Sequence, residues 1–303
     1  MNKPAKVIFG GTCSNSSKIA EELTRALDAN LGRLQVMRFP DEETYVRVLD
    51  DVKGKHVIYV QSTAPPQDTC LVELFITLDT LRRLKAKRVD VIVPYLAYAR
   101  QDKEFNKGEA ISARTVAKIL DAVDVDRLYT LDVHLYRRLG PFSLYGVKAY
   151  NLSAGRALAS YVKSNLGIEA PATIIPDRGH TPLANMIRDI VGDDFVFLRK
   201  KRKTGWEYPK IYEKTADLEG KDVVIFDDIL GTGGTVLRAT QFALSKGARK
   251  VVVAVTHALF LNNVRGRLRD AGVSQVVTTD SILQPESVIP IAPIIAEYLK
   301  SRI

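Results

Sequence analysis

Two adjacent acids, Asp227 and Asp228, end the apolar run Val223-Val224-Ile225-Phe226, and Thr232-Gly233-Gly234-Thr235 follows shortly after them. Glycines free the backbone to turn successive amides toward one anionic group, and a helix starting there adds favourable partial charge. Thr232 and Thr235 supply hydroxyl donors to the same phosphate. Paired carboxylates at a strand end can accept from neighbouring sugar hydroxyls or hold a cation. The bland alternative is a capping turn beside two solvated aspartates. It leaves unexplained why a strand, two acids and flanking threonines coincide, since a glycine turn alone is weak evidence. The usual competitors are missing: the sequence contains neither G-x-x-x-x-G-K-[ST] nor G-x-G-x-x-G.

Further polar groups stand where other apolar runs end. Arg100, Gln101 and Asp102 close the segment 93–102, and the arginine and glutamine can donate to phosphate oxygens or to a base. His134 follows a strand pattern, with Asp132 two residues earlier on the same face. Asp177 ends another run beside Gly179, where a carboxylate can help hold a cation. Phe39 can stack on a base, while Asp41 and Glu43 can accept from its exocyclic amine. The densest positive run, Arg199-Lys200-Lys201-Arg202-Lys203, has no apolar periodicity and in isolation reads as a solvated loop.

The elements that must position these groups alternate. Strand patterns are expected over 6–9, 34–39, 56–61, 88–93 and 127–132, and again over 172–176, 195–198, 222–226, 250–256 and 275–279. Helical patterns fall between them at 16–29, 71–84, 112–122, 154–164, 182–190 and 235–246. Apolar strands without period-2 alternation are covered on both faces, and strand-helix alternation implies parallel sheets. The fold class is therefore α/β, with two similar domains, each a mainly parallel sheet flanked by helices. The two halves are expected to repeat, with 89–102 parallel to 222–235 and 127–134 to 250–257. The boundaries are placed at 1–143 and 144–287, joined near Gly140 to Gly146, with a helix in 288–303 packing back on the first domain. Ligands in such folds sit beyond the carboxyl ends of the strands, where every polar group above falls.

Bulk properties narrow the classes. The chain has 303 residues, a net charge of +9, 46% hydrophobic and 26% charged residues, a soluble globular composition. Its longest apolar stretch, 251–261, is interrupted by Thr256 and His257 and is far shorter than the ~20 residues of a membrane span. Without a secretory signal the expected address is cytoplasmic. Cys13 and Cys70 cannot make a disulfide framework and read as reduced thiols in a reducing compartment. The positive charge lacks a nucleic-acid recognition module or an aromatic platform, so no nucleic acid and no membrane partner is expected.

The strand, acid pair and T-G-G-T turn at Asp227 to Thr235 resemble the ribose-phosphate loop of the type I phosphoribosyltransferase fold. The resemblance implies Asp227 and Asp228 on ribose hydroxyls, and Thr232, Gly233, Gly234 and Thr235 around a 5-phosphate. Many such loops carry an acid where this chain has Gly231. The segment Pro94-Tyr95-Leu96-Ala97-Tyr98-Ala99-Arg100-Gln101-Asp102 resembles the P-Y-x-x-Y-A-R-Q-D signature of the ribose-phosphate diphosphokinase (PRPP synthetase) family. Phe39-Pro40-Asp41-Glu42-Glu43, Gln61-Ser62-Thr63, Leu131-Asp132-Val133-His134 and Pro176-Asp177-Arg178-Gly179 are similar to its other motifs, in the same order.

That resemblance implies an enzyme moving a diphosphoryl group from Mg-ATP to ribose 5-phosphate, yielding phosphoribosyl diphosphate (PRPP) and AMP for nucleotide biosynthesis. It implies Lys200 and Arg202 as catalytic residues on a closing loop. Phe39, Asp41, Glu43, Arg100, Gln101, Asp102 and His134 would contact ATP, and His134 and Asp177 would help hold Mg2+. It also implies a homo-oligomer, at least a dimer, whose adenine loop reaches a neighbouring subunit. Two rivals remain open: a phosphoribosyltransferase that consumes PRPP, and a catalytically silent relative that regulates a true synthetase.

Overall fold

Runs such as KVIFG and HVIYV offer no polar face, so they are stable only where helices cover both sides of a parallel sheet. The computed structural model describes residues 6–135, 139–176, 181–197 and 217–302. In chain order it begins with β1 (Lys6–Gly10), α1 (Ser16–Ala26), β2 (Asn30–Leu31), β3 (Leu34–Arg38), β4 (Thr44–Val48) and β5 (His56–Val60). It continues with α2 (Gln67–Arg83), β6 (Arg88–Ile92), α3 (Ser112–Ala122), β7 (Arg127–Leu131), β8 (Gly140–Leu144) and β9 (Val147–Leu152). Then follow α4 (Gly155–Leu166), β10 (Ala172–Ile175), α5 (Thr181–Val191), β11 (Phe195–Phe197), β12 (Asp222–Leu230) and α6 (Gly234–Ser245). The series closes with β13 (Lys250–Ala258), α7 (Val264–Asp270), β14 (Val273–Thr279), β15 (Ser287–Ile289) and α8 (Ala292–Lys300).

Two compact units result. One comprises Met1–Leu152 with Ser281–Leu283 and Pro290–Ile303, the other Ser153–Asp280 with Gln284–Ile289. The first holds a seven-stranded sheet ordered β2-β1-β5-β6-β7-β9-β8, parallel except for β8 against β9. Phe9, Tyr59, Leu74, Leu78 and Val91 are wholly buried in its core. Helix α8 packs on α1 and buries Ala292, Ile295, Ala296 and Leu299, the i, i+3, i+4, i+7 stripe of an amphipathic helix. The second unit holds a six-stranded parallel sheet ordered β11-β10-β12-β13-β14-β15. No described helix is long and apolar enough to cross a membrane.

Four expectations need correction. Segment 34–39 is not a parallel strand: β3 pairs antiparallel with β4 in a separate two-stranded hairpin lying against α2. The stretch from Gly140 to Gly146 does not join domains. It forms β8 and a two-residue turn into β9, with Tyr145 at φ 47° and Gly146 at φ 111°, the left-handed pair that tight hairpins require. The repeat is also shifted by one strand. In each unit the chain leaves the starting strand for a short neighbour (β1 to β2, β10 to β11), then crosses back to the other side (β5, β12). Strand β12 therefore matches β5 rather than β6, and β13 matches β6 rather than β7.

The fourth correction concerns the cysteines. Cys13 and Cys70 are not reduced thiols but form a disulfide, with Cα atoms 5.9 Å apart across 57 residues. Sequence spacing gave no hint of it. Parallel pairing of β1 with β5 sets the turn after β1 beside the helix that follows β5. Closing a loop of that length removes up to about 4 kcal/mol of unfolded-state entropy in the simple chain model. Denatured protein without reductant should therefore show no titratable thiol. Reduction, or Cys13→Ser, should lower Tm by roughly 5–10 °C in scanning calorimetry.

Candidate functional site

In the second unit the site begins on β12 past Ile225, where its pairing with β10 ends while its pairing with β13 continues to Leu230. Asp227 and Asp228 are each only 7% exposed. The Asp228 amide donates to Asp227 Oδ1 (3.0 Å) and the Ile229 amide to Asp228 Oδ1 (2.8 Å). The chain's own backbone thus fixes both carboxylates. They suit a hard cation that takes few protein oxygens and keeps phosphate or water as further ligands, or neighbouring sugar hydroxyls.

The turn that follows is held by its carbonyls. Leu261 N donates to the Gly231 carbonyl (3.1 Å), Arg267 Nη1 to that of Thr232 (3.1 Å), and Leu237 N to that of Gly233 (2.8 Å). The amides at the start of α6 have no acceptor within the helix and point outward from its first turn, as an anion site requires. Gly233 sits at φ 76°, and a Cβ there would lie 2.2 Å from Val264 Cγ2. Both backbone and space demand glycine. Gly231 differs, since a Cβ there would meet nothing within 4 Å. Packing therefore does not explain the missing acid. Thr232, exposed, and Gly234 border an open cleft whose wall includes Arg238, Gln241 and Arg267.

In the first unit β5, β6 and β7 are neighbours, so the segments after them lie side by side at the carboxyl edge. This brings Gln61-Ser62-Thr63, Arg100-Gln101-Asp102 and His134 to one edge of one sheet. The segment after β6 turns through Tyr98, left-handed at φ 63°, whose hydroxyl donates to the Asp68 carboxylate. That bond to Asp68 holds the phenol above its ordinary pKa. Gln101 N donates to the Tyr98 carbonyl (3.3 Å), Ala113 N to the Gln101 carbonyl (3.2 Å), and Tyr145 hydroxyl to the Asp102 carbonyl (2.6 Å). Glu109 organises the loop beyond by accepting from the Asn106 side chain and from the Asn106 and Phe105 amides, which keep its carboxyl below the usual range. Arg100 is exposed. His134 is half-buried just beyond β7, after Asp132 at φ 38°.

Phe39, Asp41 and Glu43 belong to a separate two-stranded sheet, at the tip of the β3–β4 hairpin. The tip is shaped internally: Phe39 N donates to the Glu43 carbonyl (2.9 Å), Glu43 N to Asp41 Oδ1 (3.2 Å), and Phe39 packs edge-on against Tyr45. Phe39 is 46% exposed and both acids are exposed. Asp177, Lys200 and Arg202 lie outside the described residues, and among the described residues no group of three or more His, Cys, Asp or Glu could hold a metal. Sequence reasoning missed the bracing residues Asp68, Tyr145 and Arg267. Arg267 had no signal, because α7 buries only Val264 and Leu268.

Two family models cover most of the chain. Residues 7–123 match the N-terminal domain of ribose phosphate pyrophosphokinase, and residues 148–289 match the phosphoribosyl transferase domain. The chain belongs to the ribose-phosphate pyrophosphokinase family. It is 37% identical over 289 residues to a ribose-phosphate pyrophosphokinase of Sulfolobus acidocaldarius, covering 95% of this chain and 97% of that protein. A ribose-phosphate pyrophosphokinase of Methanopyrus kandleri is 38% identical over 288 residues, with the same coverage. The crystal structure of phosphoribosylpyrophosphate synthetase from Mycobacterium smegmatis matches with a TM-score of 0.83 at 26% identity, covering 98% of both chains. The fold of this family member is thus the expected α/β fold with a type I phosphoribosyltransferase domain.

The two glycines should respond in opposite ways. Gly233→Ala should lower Tm by at least about 4 °C, because the loop must shift away from Val264. Gly231→Ala should change Tm by less than about 2 °C. Scanning calorimetry on both variants would check the pair.

Proposed function

We propose that the protein transfers the diphosphoryl group of Mg-ATP to the 1-hydroxyl of ribose 5-phosphate, releasing PRPP and AMP. The carrying observation is the anion-cradling turn after two backbone-fixed carboxylates, in a chain matched along nearly its whole length by ribose-phosphate pyrophosphokinases. The ribose 1-oxygen attacks the β-phosphorus and releases its proton to water. The bond from that phosphorus to the oxygen bridging to the α-phosphate breaks, and AMP leaves. Asp227 and Asp228 orient the sugar hydroxyls. Thr232, Gly233, Gly234 and Thr235 take the 5-phosphate. Arg100, Gln101 and Asp102 bind ATP at the first unit's sheet edge, with His134 beside them.

Mg2+, when bound, neutralises the polyphosphate and polarises the β-phosphoryl group. His134 and Asp177 are its candidate protein partners. Lys200 and Arg202 are assigned to the transition state, where added positive charge acts on the oxygens of the attacked phosphoryl group.

The adenine pocket is assigned to Phe39, Asp41 and Glu43. Their exposure at the tip of a hairpin outside the main sheet favours a pocket completed by a second subunit, hence a homo-oligomer. A cytoplasmic address fits the activity. The disulfide is compatible with it in a hyperthermophilic host, where intracellular disulfides persist. Nothing favours a PRPP-consuming transferase, since one phosphoribosyltransferase domain would leave residues 7–123 without a task.

Purified protein with Mg-ATP and ribose 5-phosphate should yield AMP and PRPP in equal amounts, and neither when ribose 5-phosphate is withheld or EDTA is added. Lys200→Ala and Arg202→Ala should each lower kcat about 100-fold or more, with KM values changed only a few-fold. Nucleotide binding without turnover in the unmodified protein would favour the silent-relative reading.

A further inference from the structure

The ladder between β5 and β6 ends at the pair Val60 and Ile92, yet the two chains stay joined beyond it. Thr63, fully buried, makes the junction. Its amide donates to the Tyr95 carbonyl (3.0 Å), its hydroxyl donates to the same carbonyl (2.8 Å), and that hydroxyl accepts from the Ala97 amide (2.8 Å). One side chain therefore uses both its donor and an acceptor site on the backbone of its neighbour. Immediately after Ala97 the chain enters the left-handed Tyr98 and then reaches Arg100 and Gln101. A non-glycine residue stays left-handed only where its surroundings over-determine it. Here the turn is held on one side by Thr63 and on the other by Asp68, which accepts from the Tyr98 hydroxyl.

We infer that Thr63 is a positioning residue for the ATP-binding turn: through Tyr95 and Ala97 it sets the direction in which Arg100 and Gln101 leave the sheet edge. The inference rests on the reading of Arg100 and Gln101 as ATP donors. Thr63 need touch no substrate. Valine would keep its shape but leave the buried Ala97 amide without an acceptor, and that amide would be satisfied only by moving the turn. Serine keeps the hydroxyl.

The test is steady-state kinetics on the full-length protein, with KM measured separately for ATP and ribose 5-phosphate and Tm followed in parallel. Thr63→Val should raise the ATP KM about tenfold and leave the ribose 5-phosphate KM within about twofold, whereas Thr63→Ser should return the ATP KM to within about threefold of the unmodified protein. Tyr98→Phe, which removes the exposed brace on the other side and does not disturb the core, should also raise the ATP KM. Its failure to do so would count against the two-sided hold even if Thr63→Val does not fold. Arg100→Ala separates the two readings. An unchanged ATP KM in Arg100→Ala overturns the assignment of the turn to ATP. A raised one, beside an unchanged ATP KM in Thr63→Val, overturns only the inference about Thr63. An equal rise in both KM values with a lowered Tm would make Thr63 a merely structural residue.

Discussion

Parallel pairing at the centre of each sheet governs the rest of the molecule. A strand that runs parallel to its predecessor must be reached by a crossover, and the crossovers here bring the segments that follow the parallel strands to the same edge. The carboxyl ends of β5, β6 and β7 then stand in a row, as do those of β10, β12 and β13. Residues far apart in sequence become neighbours for this reason alone. The bonds of Thr63 to a chain 32 residues away, and the disulfide across 57, both exist because β5 lies against β1 and β6. The segment after β5 in the first unit and the one after β12 in the second lie next to the points where strand order reverses, between β1 and β5 and between β10 and β12, where open α/β sheets hold ligands.

How much of this was legible depended on whether the chemistry is local. The stretch from Asp227 to Thr235 is contiguous, so its strand, acids, turn and helix start can be read from the residues themselves. The structure adds that β12 extends to Leu230, which makes the acids part of the strand. The braces of that turn were invisible, because Arg267 reaches Thr232 across 35 residues from a helix with only two buried side chains. The repeat was seen but misregistered, because apolar strands resemble one another and only pairing order tells β5 from β6. Gly140 and Gly146 looked like linker punctuation, yet they bound a hairpin strand whose turn supplies Tyr145 to Asp102.

The ribose-phosphate turn illustrates a division of labour within one loop. Gly233 is dictated twice, by its backbone conformation and by Val264, and belongs to the fold. Gly231 is dictated by neither, since a Cβ there would meet nothing within 4 Å. The carboxylates before it each accept from the amide that follows them, so part of their orientation is set by the local backbone.

Helix α8 has a consequence for biogenesis. It belongs to the first unit, where it covers α1 and sets Tyr298 against Tyr129 and Tyr150, yet it follows the entire second unit in the chain. A ribosome working from the amino terminus therefore releases most of the first unit long before the piece that seals it. Until then the outer face of α1 is uncovered, and the second unit emerges and folds as an insertion within an unfinished neighbour. The nascent chain is thus most exposed to aggregation, and most in need of chaperone cover, along α1 during the interval between Leu152 and Ala292.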